Sequence, residues 1–167
     1  AKQANVTKSL IYHYFGDKRK LWLAVRDASV AVYAVQQRAV FSLNETEPTE
    51  AGVADSVSAY FSFLQKQPDI ARVFALEGFD GEFEPGDTEQ ELQAGGLAFV
   101  KKLQSSGVVR DDIDASMALA AFSALIEHWF ISQERVAKLN KKLKGPSLDA
   151  DYLDAIQKIL RSGLQPE

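Results

Sequence analysis

Cysteine is absent from the 167 residues, so disulfide staples, thiolate metal sites and thiol nucleophiles are excluded. Histidine occurs only twice, at His13 and His128, which rules out a histidine pair at metal-ligand spacing. Glu127 and His128 are neighbours, but adjacent residues on a helix point about 100 degrees apart, which is poor geometry for an acid/base pair. No glycine-rich loop follows a strand-like run, and there is no nucleophile elbow. Catalytic residues are therefore not assigned, and no enzyme activity, metal or cofactor is expected. No apolar run approaches the roughly 18 residues of a membrane span, and the N-terminus has no signal-peptide pattern. A soluble, cytoplasmic protein with no membrane partner is the expectation.

What is present is helical material. Apolar residues make up 46% of the chain and prolines number five, enough for one or two small units with a real core. The net charge of -4 hides an asymmetry. Lys2, Lys8, Lys18, Arg19, Lys20 and Arg26 face Asp17 alone in the first 26 residues, and the rest of the chain is acidic. One small positive end on a negative body suits a protein that grips a polyanion at that end; basic residues on a solvated helix face are the bland alternative.

The stretch 6–21 organises the positive end. Thr7 is an N-cap residue, Gly16-Asp17 stops one helix and caps the next, and between them lie eight residues. So short a helix has to be held by neighbours and used for its exposed face, which carries Lys8, Ser9, Tyr12 and His13. Tyr12-His13-Tyr14-Phe15, followed after a two-residue turn by Lys18 at the start of a long helix, resembles the recognition helix of the TetR (tetracycline-repressor) family. The resemblance implies an α-helix lying in the DNA major groove. Lys8, Ser9 and Leu10 are then the candidates for base edges, and Thr7, Tyr12, His13 and Lys18 for phosphates. Leu10 stands where the family more often has a small or hydroxylated residue, and a thymine methyl would suit it. Ile11 and Phe15 would face inward with Leu21. Ala1 to Asn5 supply only the last turn of a bracing helix, with Asn5 as a left-handed cap. By the resemblance a further helix, on the order of 30 residues, should precede it, so an N-terminally truncated chain is expected.

Further along, 18 to about 42 reads as one long helix whose stripe Leu21, Val25, Ala28, Val32, Val35 and Ala39 should face a core. A polar break at 43–50 separates a DNA-binding part, residues 1–42, from an effector-binding and dimerisation part, residues 43–167. Helices are expected at 50–66 and from about 70 to 77, restarted by Gln67-Pro68-Asp69, with a Gly-rich loop at 78–87. Pro68 and Glu77 fit comparable positions in the family. Asp80, Glu82, Glu84 and Glu91 have calcium-loop spacing, but Pro85 occupies the position that needs Gly, so the loop reads as solvated and acidic. A helix capped by Asp87 or Thr88 runs to about 106 with Gly95-Gly96 inside it, implying a kink or a close helix contact. Gly107 ends it, and 107–114 resembles the family's link into its eighth helix. The apolar helix from 115 to 140 and a last one from about 147 or 149 to 163 resemble the family's four-helix dimer interface. They could equally complete a monomer core.

Tyr60, Phe61, Phe74, Phe79, Phe99, Phe122, Trp129 and Phe130 come from four separate expected helices. They suit either an apolar cavity with Glu127, His128 or Gln133 as polar anchors or an ordinary core. The candidate ligand-binding set is Tyr60, Phe61, Phe74, Phe79, Phe99, Phe122, Glu127, His128 and Trp129. Together these features imply an all-α, ligand-responsive transcription regulator, a repressor acting as a homodimer on a palindromic double-stranded DNA operator. Its effector would be a largely apolar or aromatic small molecule. The alternative is a helical small-molecule sensor without DNA binding.

Overall fold

The computed structural model describes residues 5–43, 48–80, 85–139 and 148–165, the side chains of 43 and 77–80 excepted. Among these residues are seven helices and no strand: α1 (Lys8–Phe15), α2 (Lys18–Leu43), α3 (Glu50–Lys66), α4 (Pro68–Asp80), α5 (Asp87–Ser105), α6 (Ala115–Leu139) and α7 (Leu148–Leu164). The boundaries follow local chemistry. Thr7 and Thr49 cap α1 and α3 with side-chain oxygens that accept from the Leu10 and Gly52 amides at 3.2 and 3.3 Å. Asp114 does the same for α6, accepting from the Ser116 and Met117 amides. Gly107, at φ 72, turns the chain out of α5.

Two expectations shift at helix ends. The α4 helix runs on to Asp80, so the break begins later than Gly78. The cap of α5 is Gly86, which has no side chain to bond, and Asp87 is already helical, where its carboxylate favours the positive end of the helix dipole. Residues 81–84 and 140–147, which include Glu82 and Glu84 of the calcium-like spacing, lie outside the described residues.

The core packs α3, α4, α6 and α7 around Phe61, Leu64, Ile126 and Ile156, each essentially inaccessible to solvent. Burying a side chain of that size is worth about 1.5–3 kcal/mol. Trp129 and Tyr152 fasten α7 to α6. Their rings stack at 4.0 Å, the Trp129 indole N–H donates to Asp149, and the Tyr152 hydroxyl donates to the Leu125 carbonyl. A smaller cluster of Phe99, Leu103 and Val109 closes the other side of the body against Phe41 and Val53.

The long helix α2 overturns an expectation. Val25, Val32 and Val35 point to solvent, as do Ala28 and Ala39, and the buried face is Arg26, Val30, Ala34 and Gln37 with half-buried Tyr33 and Phe41. The physical reason is tertiary. Arg26 meets Asp27 at 3.2 Å and Glu89 of α5 at 3.9 Å, and Gln37 donates to Ser56 of α3 at 3.3 Å, so two polar residues are carried into the interior by partners from other helices. A second correction concerns α6, which by length and composition is apolar enough to cross a membrane. Here it is a bundle helix with Glu127 in its middle. It buries Ile126, Trp129 and Phe130 on one side and exposes Met117, Ala121, Ala124, His128 and Ile131 on the other.

Candidate functional site

At the positive end, α1 has no fully buried residue. Ile11, Phe15 and Leu21 are half-buried where α1 rests on α2, and Lys8, Ser9, Leu10, Tyr12 and His13 are exposed. Gly16 sits at φ 81 and its amide donates to the Tyr12 carbonyl at 2.8 Å, a turn that a Cβ would strain. Asp17 then accepts from the Lys20 amide at 2.8 Å and starts α2. Lys18 is therefore the first residue of a 26-residue helix, where the positive end of the helix dipole adds to its own charge. Asn5, at φ 50, has the left-handed conformation expected of it. The arrangement can present an exposed helix flanked by cations and amide donors to a phosphate backbone.

In the body lies a cavity of about 460 Å³ with walls from α2 to α7. Tyr33, Gln37 and Phe41 of α2, Ser56 and Tyr60 of α3, Phe74 of α4, Phe99 of α5 and Phe122 of α6 all line it. The rings pack on one another: Tyr33 to Tyr60 at 4.8 Å, Phe41 to Phe99 at 5.3 Å and Tyr60 to Phe122 at 5.9 Å. Glu127 and Glu89 bring carboxylates to the wall. The Tyr60 hydroxyl donates to Glu127 at 2.5 Å. Burial raises the Glu127 carboxyl above its ordinary range, partly offset by that hydrogen bond. Burial and the nearby Glu127 charge push the Tyr33 and Tyr60 hydroxyls well above the usual tyrosine value, so both remain neutral donors. Gln37 is 4% exposed, and its Oε1 has no hydrogen-bond partner.

Residues 1–25 match the family model described as bacterial regulatory proteins, tetR family. The match covers the N-terminal segment, which is therefore similar to the corresponding part of tetR-family regulators. The match supports a DNA-binding transcription regulator with a helix-turn-helix segment at the N-terminal end, and the described residues are all-α. The chain is also similar to a solved protein of unknown function from Rhodococcus sp. RHA1, at 17% identity and a TM-score of 0.69 over 99% of this chain and 82% of that one. That likeness speaks to the fold alone. No curated protein matches the chain.

The candidate ligand-binding residues singled out from sequence divide four ways. Tyr60, Phe74, Phe99, Phe122 and Glu127 line the cavity. Phe61 and Trp129 do not, because they are consumed by the core: Phe61 packs on Phe130 at 4.9 Å, and Trp129 is held by Tyr152 and Asp149. His128 is on the outer face of α6, neither a cavity anchor nor a core histidine. The side chain of Phe79 lies outside the described residues. Periodicity missed the α2 contribution, Val30, Tyr33, Gln37 and Phe41, because the stripe was phased on the exposed valines. Tyr33-Gln37-Phe41 does recur at four-residue steps, which is the signal that was available.

Proposed function

We propose that this protein is a TetR-family repressor that binds a palindromic operator as a homodimer and is released when a small, largely apolar molecule fills the cavity of its body. The observation that carries this is the double use of α2. The helix that begins with Lys18 beside α1 also supplies Tyr33, Gln37 and Phe41 to the cavity wall, roughly 28 Å further along at 1.5 Å per residue. A ligand pressing on that wall acts on the same rigid element that positions α1.

In the complex, Lys8, Ser9 and Leu10 would meet base edges while Thr7, Tyr12, His13 and Lys18 hold the backbone. Tyr60, Phe74, Phe99, Phe122 and Glu127 would contact the ligand. Residues 1–42 then act as the DNA-reading part and 43–167 as the sensing and dimerising part, with α2 packed on both α3 and α5 rather than swinging on a flexible linker. Support for the dimer comes from the outer face of α6, where Met117 and Ile131 are 62% and 47% exposed, continued on α7 by Ile159 at 60%. An apolar face of that kind suits a self-complementary helix-pair interface.

The test is selection of duplexes from a random pool by the full-length protein. Enrichment of an inverted repeat with half-sites about 34–36 Å apart, one turn of DNA, supports the dimeric regulator. Failure to enrich any repeat at low salt overturns it.

A further inference from the structure

The cavity walls are unequal in charge. Among the described lining residues there are two carboxylates, Glu89 and Glu127, and no lysine, arginine or histidine. Glu89 has a counter-ion close by, the guanidinium of Arg26 at 3.9 Å, whereas Glu127 takes a hydrogen bond from a neutral hydroxyl, that of Tyr60. A third acceptor is independent of both. Gln37 Oε1 belongs to a side chain 96% withdrawn from solvent, on the wall of the cavity, and it has no donor, its amide nitrogen being engaged by Ser56. A buried acceptor left without a donor is costly, and native interiors rarely keep one unless something supplies it. The remaining wall is aliphatic and aromatic, with Tyr33, Tyr60 and Phe122 packed together on it, and ring faces attract cations.

Building on the cavity as the effector site, we infer that its ligand is a lipophilic cation, an aromatic or alkyl body carrying a protonated amine. The ammonium group donates to Gln37 Oε1 and offsets the Glu127 charge, and the body packs on Tyr33, Tyr60 and Phe122. A carboxylate of the same shape meets an acceptor it cannot satisfy and a like charge in a poorly solvated space. A neutral alcohol can supply the donor but not the charge. The ranking amine, then alcohol, then carboxylate follows from those two deficits.

Calorimetric titration of the chain with 2-naphthylethylamine, 2-naphthylethanol and 2-naphthylacetate, matched in body and differing in head group, tests this ranking. The amine is expected to bind at least about tenfold tighter than the carboxylate, with the alcohol between them. Glu127→Gln keeps an acceptor for Tyr60 and should bring the amine down to the affinity of the alcohol. Gln37→Leu should weaken amine and alcohol together, because both donate to the lost oxygen. A carboxylate that binds as well as the amine overturns the cationic class, as does an amine preference that survives Glu127→Gln. Equal affinities for all three would refute the charge preference and leave the cavity as an effector site. No binding by any of the three would remove the cavity as the site as well.

Discussion

Lys18 and Glu127 carry the two ends of the account. Lys18 stands at the start of α2 beside the exposed face of α1, so its role toward DNA would be electrostatic and indifferent to sequence. Lys18→Ala should weaken binding to every duplex and lower the slope of log affinity against log salt by about 1, whereas Ser9→Ala or Leu10→Ala should alter base preference at one position. Filter binding across a salt series checks both, and an unchanged slope would remove Lys18 from the backbone contacts. For Glu127, burial raises the folded-state pKa above that of the unfolded chain. The folded chain therefore holds this proton more tightly, and the stability it contributes is complete at low pH. That contribution is lost as pH rises from the ordinary carboxyl range through the raised value. Glu127→Gln removes the titration but keeps the acceptor for Tyr60. Urea midpoints should then favour the variant over the parent more at about pH 8 than at about pH 4. A difference independent of pH would show that Glu127 ionises as freely as a solvated carboxylate.

At the scale of the element, the paired glycines of α5 test how tightly the helices approach. A Cβ on Gly96 would lie 3.1 Å from Leu119, a flexible side chain that borders the cavity and has room to yield. A Cβ on Gly95 would lie 3.1 Å from the ring of Phe41, which is already packed on Phe99. Helix propensity favours Ala over Gly by about 1 kcal/mol at either site. Gly96→Ala should therefore keep most of that gain, and Gly95→Ala should lose it to the displaced ring; denaturant midpoints of the two variants decide. The close contact was legible in the sequence as a glycine pair inside a helix, and so were the limits set by Thr7, Gly16, Asp17 and Gly107, which carry their own local chemistry, whereas the end of α4 and the cap of α5 were not. The phase of α2 was not legible. Its outward valines and its inward Val30, Tyr33 and Phe41 make two competing stripes. The inward one includes Arg26 and Gln37, which look like surface residues until Glu89 and Ser56 arrive from other helices. The same blindness assigned Phe61, Trp129 and His128 to the cavity, since periodicity cannot say which helix faces which. Four of the chosen aromatic residues do reach the wall, with Glu127 beside them, because aromatic side chains from several helices of a small bundle must converge somewhere in its interior.

For the whole molecule, the fold sets the body cavity and the exposed helix α1 on one long helix, α2, and it leaves Met117 and Ile131 of α6 and Ile159 of α7 exposed. Those are the parts a dimeric switch requires: two states, an element shared between them and a ligand that prefers one. A preference of about 1.4 kcal/mol is enough to change the operator-bound population tenfold. The most direct test is to fill the cavity covalently and read the other end. Ser123 of α6 lines the cavity, and Ser123→Trp would occupy it in place of a ligand. Operator affinity of the full-length variant, measured beside the parent with its fold verified by circular dichroism, is expected to fall by at least about tenfold. An affinity within about twofold of the parent would mean that the cavity and the recognition helix are not coupled through α2.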